Sequence, residues 1–336
     1  MKCPLFIFIA LSVADNGFIT TLVIVGFPGL PPEHDRLMGA VLFLVYASTA
    51  LGNALLVGLF LVERRLQKPM YIVMLSLAFS DIGFSTATLP KAVGRYWLGD
   101  GAIALGACLF QRFLVHYFGT LNSLIMMTMS LDRYLAICSP LRYPALMTNR
   151  AMSALTAASW AAAAVCPGVT VGLTARLPFC GPRRIAQCHC DALSLMPLIC
   201  ADTRALRRVS LALAMFVLVL PLAFIVFSYA SIAAAVLRIA DAQGRRRAFS
   251  TCATQVCIIA IYYLPRSFVY VSSVFPVFKL NPDLRIGLTL FYSLFPPLVN
   301  PLIYCYRTKE IKDILRRWFC PGNAVGHQPT LTTVSK

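Results

Sequence analysis

Three charged residues, Asp81, Arg112 and Arg266, stand inside long apolar stretches of this chain, where an unpaired charge is expensive. A side chain so placed pairs with another, faces water or binds something. Arg266, beside the helix-weakening Pro265, falls about midway along its stretch. Either it binds an anionic or strongly polar ligand group, or it bridges to neighbouring helices; residue type alone leaves both readings open. Tyr270 lies one turn on and shares its face. Cys108, Arg112, His116 and Thr120 recur every four residues, so a helix lines them up on one stripe. Arg266, His116, Thr120 and Tyr270 together describe a mostly apolar pocket with a few polar anchors, the makeup of a small-molecule site. Arg112 lies nearer the end of its stretch and is read as snorkelling to the interface.

Other residues suit a switch. Asp132 and Arg133 sit side by side where an apolar run ends, in MTMSLDRYLAICSPLRYP. An Arg there takes a carboxylate partner at rest and a protein partner once released, which makes a two-state device. In FYSLFPPLVNPLIYCY, Pro301 leaves a carbonyl one turn back unsatisfied and Asn300 can help satisfy it, giving a hinge. Catalysis is poorly provided for: no HExxH or GxSxG occurs, and His116 is the one histidine within an apolar run, so the chain is not read as an enzyme.

These residues need elements to hold them, and composition says which kind. The chain has 336 residues, 59% hydrophobic and only 13% charged. Soluble domains run near half apolar and about a quarter charged, so soluble and disordered classes are excluded. Seven runs are long enough to cross a bilayer as helices: 38–62, 70–90, 102–131, 151–175, 209–237, 248–278 and 286–306. The architecture is therefore all-α, a seven-helix membrane bundle over 38–306, with 1–37 ahead of it. The net charge of +17 is read as basic loops beside anionic lipid, not as a nucleic-acid footprint. Lys and Arg favour the side that carries Arg64, Arg142, Arg245–Arg247 and the tail, which puts the N-terminus outside. Cys180, Cys188, Cys190 and Cys200 crowd one loop, 176–208, and suit an oxidising compartment on the opposite side. The CxC around His189 also permits a metal, but no second ligand pair follows.

Lys2 with Pro4–Ala14 resembles a short signal-peptide core, either cleaved or kept as an apolar tail. After the last run, 307–319 alternates basic residues with Ile311, Ile314, Leu315, Trp318 and Phe319, the pattern of an amphipathic helix on the cytoplasmic face. Cys320 then offers either a palmitoylation site or a free thiol. The remainder, 320–336, reads as a disordered tail. A transporter would thread polar residues through several helices, and the three intramembrane charges form no such path.

The strings LGN at 51–53, PMYIVMLSLAFSD at 69–81, MSLDRYLAICSPLRYP at 129–144, SY at 228–229, RRRAFSTCATQ at 245–255 and PPLVNPLIYCYRTKEIK at 296–312 resemble vertebrate odorant receptors, within the rhodopsin-like G-protein-coupled receptors. GFPGLPPEH and CHCD resemble the fish-like class I branch. The resemblance implies disulfides Cys108–Cys190 and Cys180–Cys200, with Cys188 spare. It implies that Arg133 faces the G protein with Asp132 as its resting partner, and that Tyr229 and Tyr304 swing toward it. Ser250 and Thr251 would lie at the coupling surface, and Tyr263 where the sixth span reports occupancy. His116 matches a position that often faces the odorant. A sodium site at Asp81 with Asn122 and Asn300 is implied too, short of the third-span acid that many relatives carry. Where class I acid receptors carry an Arg, this chain has Val274, so acid recognition does not carry over. The function implied is an odorant receptor at the plasma membrane, raising cyclic AMP through a stimulatory, olfactory-type heterotrimeric G protein; a non-olfactory chemosensory receptor of the same fold is the alternative. The implied partners are a small odorant, that G protein and the bilayer.

Overall fold

A computed structural model describes residues 20–319 apart from 67, 239, 240 and 279. The helices longer than about one turn are α1 (Asp35–Val62), α2 (Pro69–Leu98), α3 (Leu105–Cys138), α4 (Asn149–Ala162), α5 (Val165–Ala175), α6 (Arg204–Leu237), α7 (Ala242–Val274), α8 (Pro282–Arg307) and α9 (Lys309–Phe319). Six stretches, with α4 and α5 counted as one, are long and apolar enough to cross a membrane. The central α3, 34 residues long, packs on α2, α4, α5 and α6 and makes the seventh. Leu37, Leu44, Leu51 and Leu61 on α1 are all more than half exposed. Such a stripe would be a liability in water and is at home in hydrocarbon. The chain is a multi-pass membrane protein.

Local chemistry explains where these elements start and stop. Thr148 caps α4 by accepting from the Ala151 N–H. The fourth span breaks at Ala163–Ala164 because Pro167 has no N–H to offer the Ala163 carbonyl. α2 runs on past the apolar run that ends at Pro90, reaching Leu98. Gly99 stops it in the left-handed conformation, φ 67°. The third helix begins at Leu105, not Ala102, because Ala102–Ala104 is a strand.

That strand belongs to a small sheet that the hydropathy runs do not reveal. β1 (Thr21–Ile24) lies between β2 (Ala102–Ala104), antiparallel, and β3 (Arg184–Ile185), parallel. Leu22 and Ile24 alternate inward and are fully buried, Leu22 in a cluster with Cys108, Cys190 and Leu195. Disulfides join Cys108 to Cys190 and Cys180 to Cys200, and Cys188 is free and buried. The sheet and disulfides close one end of the bundle; Asp132 and Arg133 lie at the other.

Gly26 turns the chain off β1 with φ 82°, and a Cβ there would run into the Tyr96 hydroxyl, which accepts from the Phe27 N–H at 3.0 Å. Gly26→Ala should therefore lower stability by roughly 1–2 kcal/mol for the left-handed backbone alone, read as a lower unfolding temperature in detergent.

At the Asp132 end, α9 buries Ile311 and Ile314 against Leu59, Leu66 and Tyr71 and leaves Trp318 outward. Its ion pairs Lys68–Glu310 and Arg317–Glu63, both 3.7 Å, are exposed and add little. Cys320 lies outside the described residues.

Candidate ligand site

The four residues singled out as a pocket share one. His116 and Thr120 from α3 and Arg266 and Tyr270 from α7 line a cavity of about 750 Å³, with α5, α6, the start of α8 and the loop 192–197 as its other walls. A side chamber of about 80 Å³ continues past His116 and Arg266 to His189, Asp191 and Tyr292. Most of the wall is apolar, including Met196, Leu213 and Val217. A small organic molecule with a few polar groups fits such a space.

Arg266 is 7% exposed and reaches across to α3. Its Nη1 donates to the Gly119 carbonyl at 3.3 Å and to the Tyr262 hydroxyl. The Tyr262 hydroxyl donates in turn to the same carbonyl at 2.7 Å. The guanidinium also stacks near the Tyr262 and Tyr270 rings, at 5.3 and 5.9 Å. Of the two readings left open, helix bridging is what these contacts describe, while the side chain still borders the cavity. The family resemblance marks the neighbouring Tyr263, and residue type alone does not single out Tyr262. The Tyr263 hydroxyl is buried without a partner.

Arg112 corrects an expectation. It does not snorkel; it is 1% exposed and lines the cavity, with Nη1 donating to Thr174 Oγ1 at 2.8 Å. Position along a span shows depth and not direction, and this residue faces α5. Above the cavity, His189 is buried, and desolvation holds its pKa down although Asp191 opposes this. No cluster of three metal-ligating side chains forms among the described residues, so the CxC–His189 segment gains no metal partners.

The switch residues also differ in their partners. Asp132 accepts from the Tyr143 hydroxyl at 2.8 Å, and no ion pair joins it to Arg133. Arg133 instead contacts the Met70 sulfur. Tyr143 follows a turn at Ser139–Arg142 that folds back on α3, a local geometry the motif string does not disclose. Tyr229 has a buried, unpartnered hydroxyl, and the Tyr304 hydroxyl stands 4.0 Å from the Met129 sulfur. Ser250 and Thr251 lie on α7 with side chains outside those described.

The hinge is satisfied from elsewhere. Asn300 donates to Asp81 Oδ2 at 2.8 Å. The carbonyl stranded by Pro301 belongs to Pro297, and Asn53 of α1 donates to it at 3.0 Å. Asp81 Oδ1 and the Asn53 and Asn300 amide oxygens are buried without partners, whereas Asn122 Oδ1 already accepts from Ser80 at 2.6 Å. Hard oxygens left unpartnered in this way fit a small cation such as sodium, which Asp81 and Asn300 would hold.

A family model described as olfactory receptor matches residues 42–321. The chain belongs to the olfactory receptor family. Human olfactory receptor 2A12 is 36% identical over 304 residues, covering 90% of this chain and 97% of its own. Mouse olfactory receptor 2A7 is 37% identical over 299 residues, covering 89% and 95%. Squid rhodopsin shares the fold, with a TM-score of 0.69 at 18% identity over 91% of this chain and 92% of its own. These comparisons carry the family and not its branch. As an olfactory receptor the chain is a signalling protein and not an enzyme, and its partners are a small molecule, a G protein and the membrane.

Proposed function

We propose that this olfactory receptor binds an odorant in the 750 Å³ cavity and couples to a stimulatory, olfactory-type G protein, raising cyclic AMP. The observation that carries the reading is the convergence of His116, Thr120, Arg266 and Tyr270 on that one cavity in a chain of this family. Arg266 and Tyr262 tie α7 to α3 beside the cavity, so a ligand there can change how α7 sits. A ligand shifts the equilibrium only by its differential affinity for the two states. The opened state exposes Arg133, freed from Met70, with Ser250 and Thr251 beside it. Tyr229 and Tyr304 then turn toward it, Tyr263 transmits occupancy, and Asn300 with Pro301 forms the hinge. The receptor sits in the plasma membrane with its disulfide end outside, a reading supported by paired cysteines at that end and the basic excess at the other.

Arg133→Ala at wild-type surface abundance is expected to reduce the agonist-evoked cyclic AMP rise by at least tenfold. An undiminished response overturns the switch assignment; ligand-evoked current in cells lacking the G protein overturns the coupling.

A further inference from the structure

Arg112 is buried as a cation with three of its five N–H donors, those on Nε and Nη2, unpartnered. Nη1 is held by Thr174, but Nε and Nη2 are buried and have no partner. Those two N–H groups lie along one edge of the guanidinium, parallel and spaced to meet both oxygens of a carboxylate. No acid among the described residues takes them. Asp191, the one acid among the described residues that borders either chamber, makes no ion pair with Arg112 and caps the turn Ala192–Leu195, accepting from the Ser194 N–H at 2.9 Å and from its hydroxyl. Arg207, Arg266 and Arg285 add three more cations around the same cavity. A buried charge with unsatisfied donors is strongly unfavourable unless a counter-ion arrives.

We propose that the ligand carries a carboxylate, and that Arg112 binds it through Nε and Nη2 while the apolar remainder lies against Met196, Leu213 and Val217. This rests on the cavity being the ligand site. Arg266 is the positioning residue, since its Nη1 is already engaged with α3 and its plane lies against two tyrosines. Arg112 anchors the anion.

The test uses purified full-length receptor and the same receptor in cells at neutral pH, with hexanoate, octanoate, decanoate and their methyl esters as probes. At least one carboxylate is expected to raise the unfolding temperature at a concentration tenfold or more below that needed for its ester. Arg112→Gln should lose that preference, Arg112→Lys should keep part of it, and Asp191→Asn should leave it intact. Equal action of acid and ester, no stabilisation by any acid, or an unchanged preference in Arg112→Gln overturns the proposal. Loss of the preference in Asp191→Asn assigns the fork to Asp191 and overturns it too. Should Arg112→Gln fail to fold, the acid–ester comparison and Arg112→Lys decide. Stabilisation by acids without cyclic AMP would overturn the receptor reading and leave Arg112 assigned. Cyclic AMP evoked by neutral odorants alone would do the reverse.

Discussion

Cys190→Ser is expected to lower the stability of the receptor by about 2–5 kcal/mol and to abolish its response to ligand. The Cys108–Cys190 bond closes a sequence separation of 82, against 20 for Cys180–Cys200, so the loop-entropy contribution favours the first. Placement adds to this. Cys190 is fully buried, its N–H donates to Gln111 Oε1 at 2.9 Å, and its neighbours His189 and Asp191 form the roof of the side chamber. Breaking the bond frees the roof and the cluster around Leu22, Leu109 and Leu195 together. Cys180→Ser should fall short of this in both respects. Unfolding temperature in detergent and ligand-evoked cyclic AMP measure the two; equal loss in both variants would contradict the ranking.

Asn53→Ala should destabilise the bundle by about 1–3 kcal/mol, because it leaves the Pro297 carbonyl buried and unsatisfied. The side-chain amide of Asn53 also donates to the Thr49 carbonyl at 2.9 Å, which keeps its own helical partner. A double-mutant cycle isolates the cause. In a Pro301→Ala background, residue 301 regains an N–H that can reach Pro297, and the penalty of Asn53→Ala should shrink by more than half. Two penalties that simply add would show that Asn53 acts through Thr49 and not through the hinge.

These two cases mark where sequence reasoning succeeds and where it stops. Hydropathy shows the spans because each must satisfy its own backbone in lipid, and the amphipathic α9 is legible in the alternation of Ile311 and Ile314 with basic residues. The cysteine pairing followed from family resemblance and not from spacing. What stays hidden is direction and long-range partnership. Asn53 and Pro297 are 244 residues apart, and nothing in either segment announces the contact. Asp132 looks paired with the Arg beside it, yet a tyrosine 11 residues on holds it. Arg112 looks peripheral by position and is among the most enclosed side chains described. The short strands β1 to β3 escape because two to four residues carry no period.

The sheet also bears on how the chain is made. β1 leaves the ribosome first, yet one partner follows only at residues 102–104, after two membrane spans, and the other at 184–185, after two more have been threaded. Until then Leu22 and Ile24 have no buried home, and the nascent receptor carries an unpaired apolar edge of the kind that binds chaperones or aggregates. Closing that end is thus a late event with high contact order. It gives a quality-control system a simple way to tell finished receptors from unfinished ones: whether residues 21–24 can still be reached.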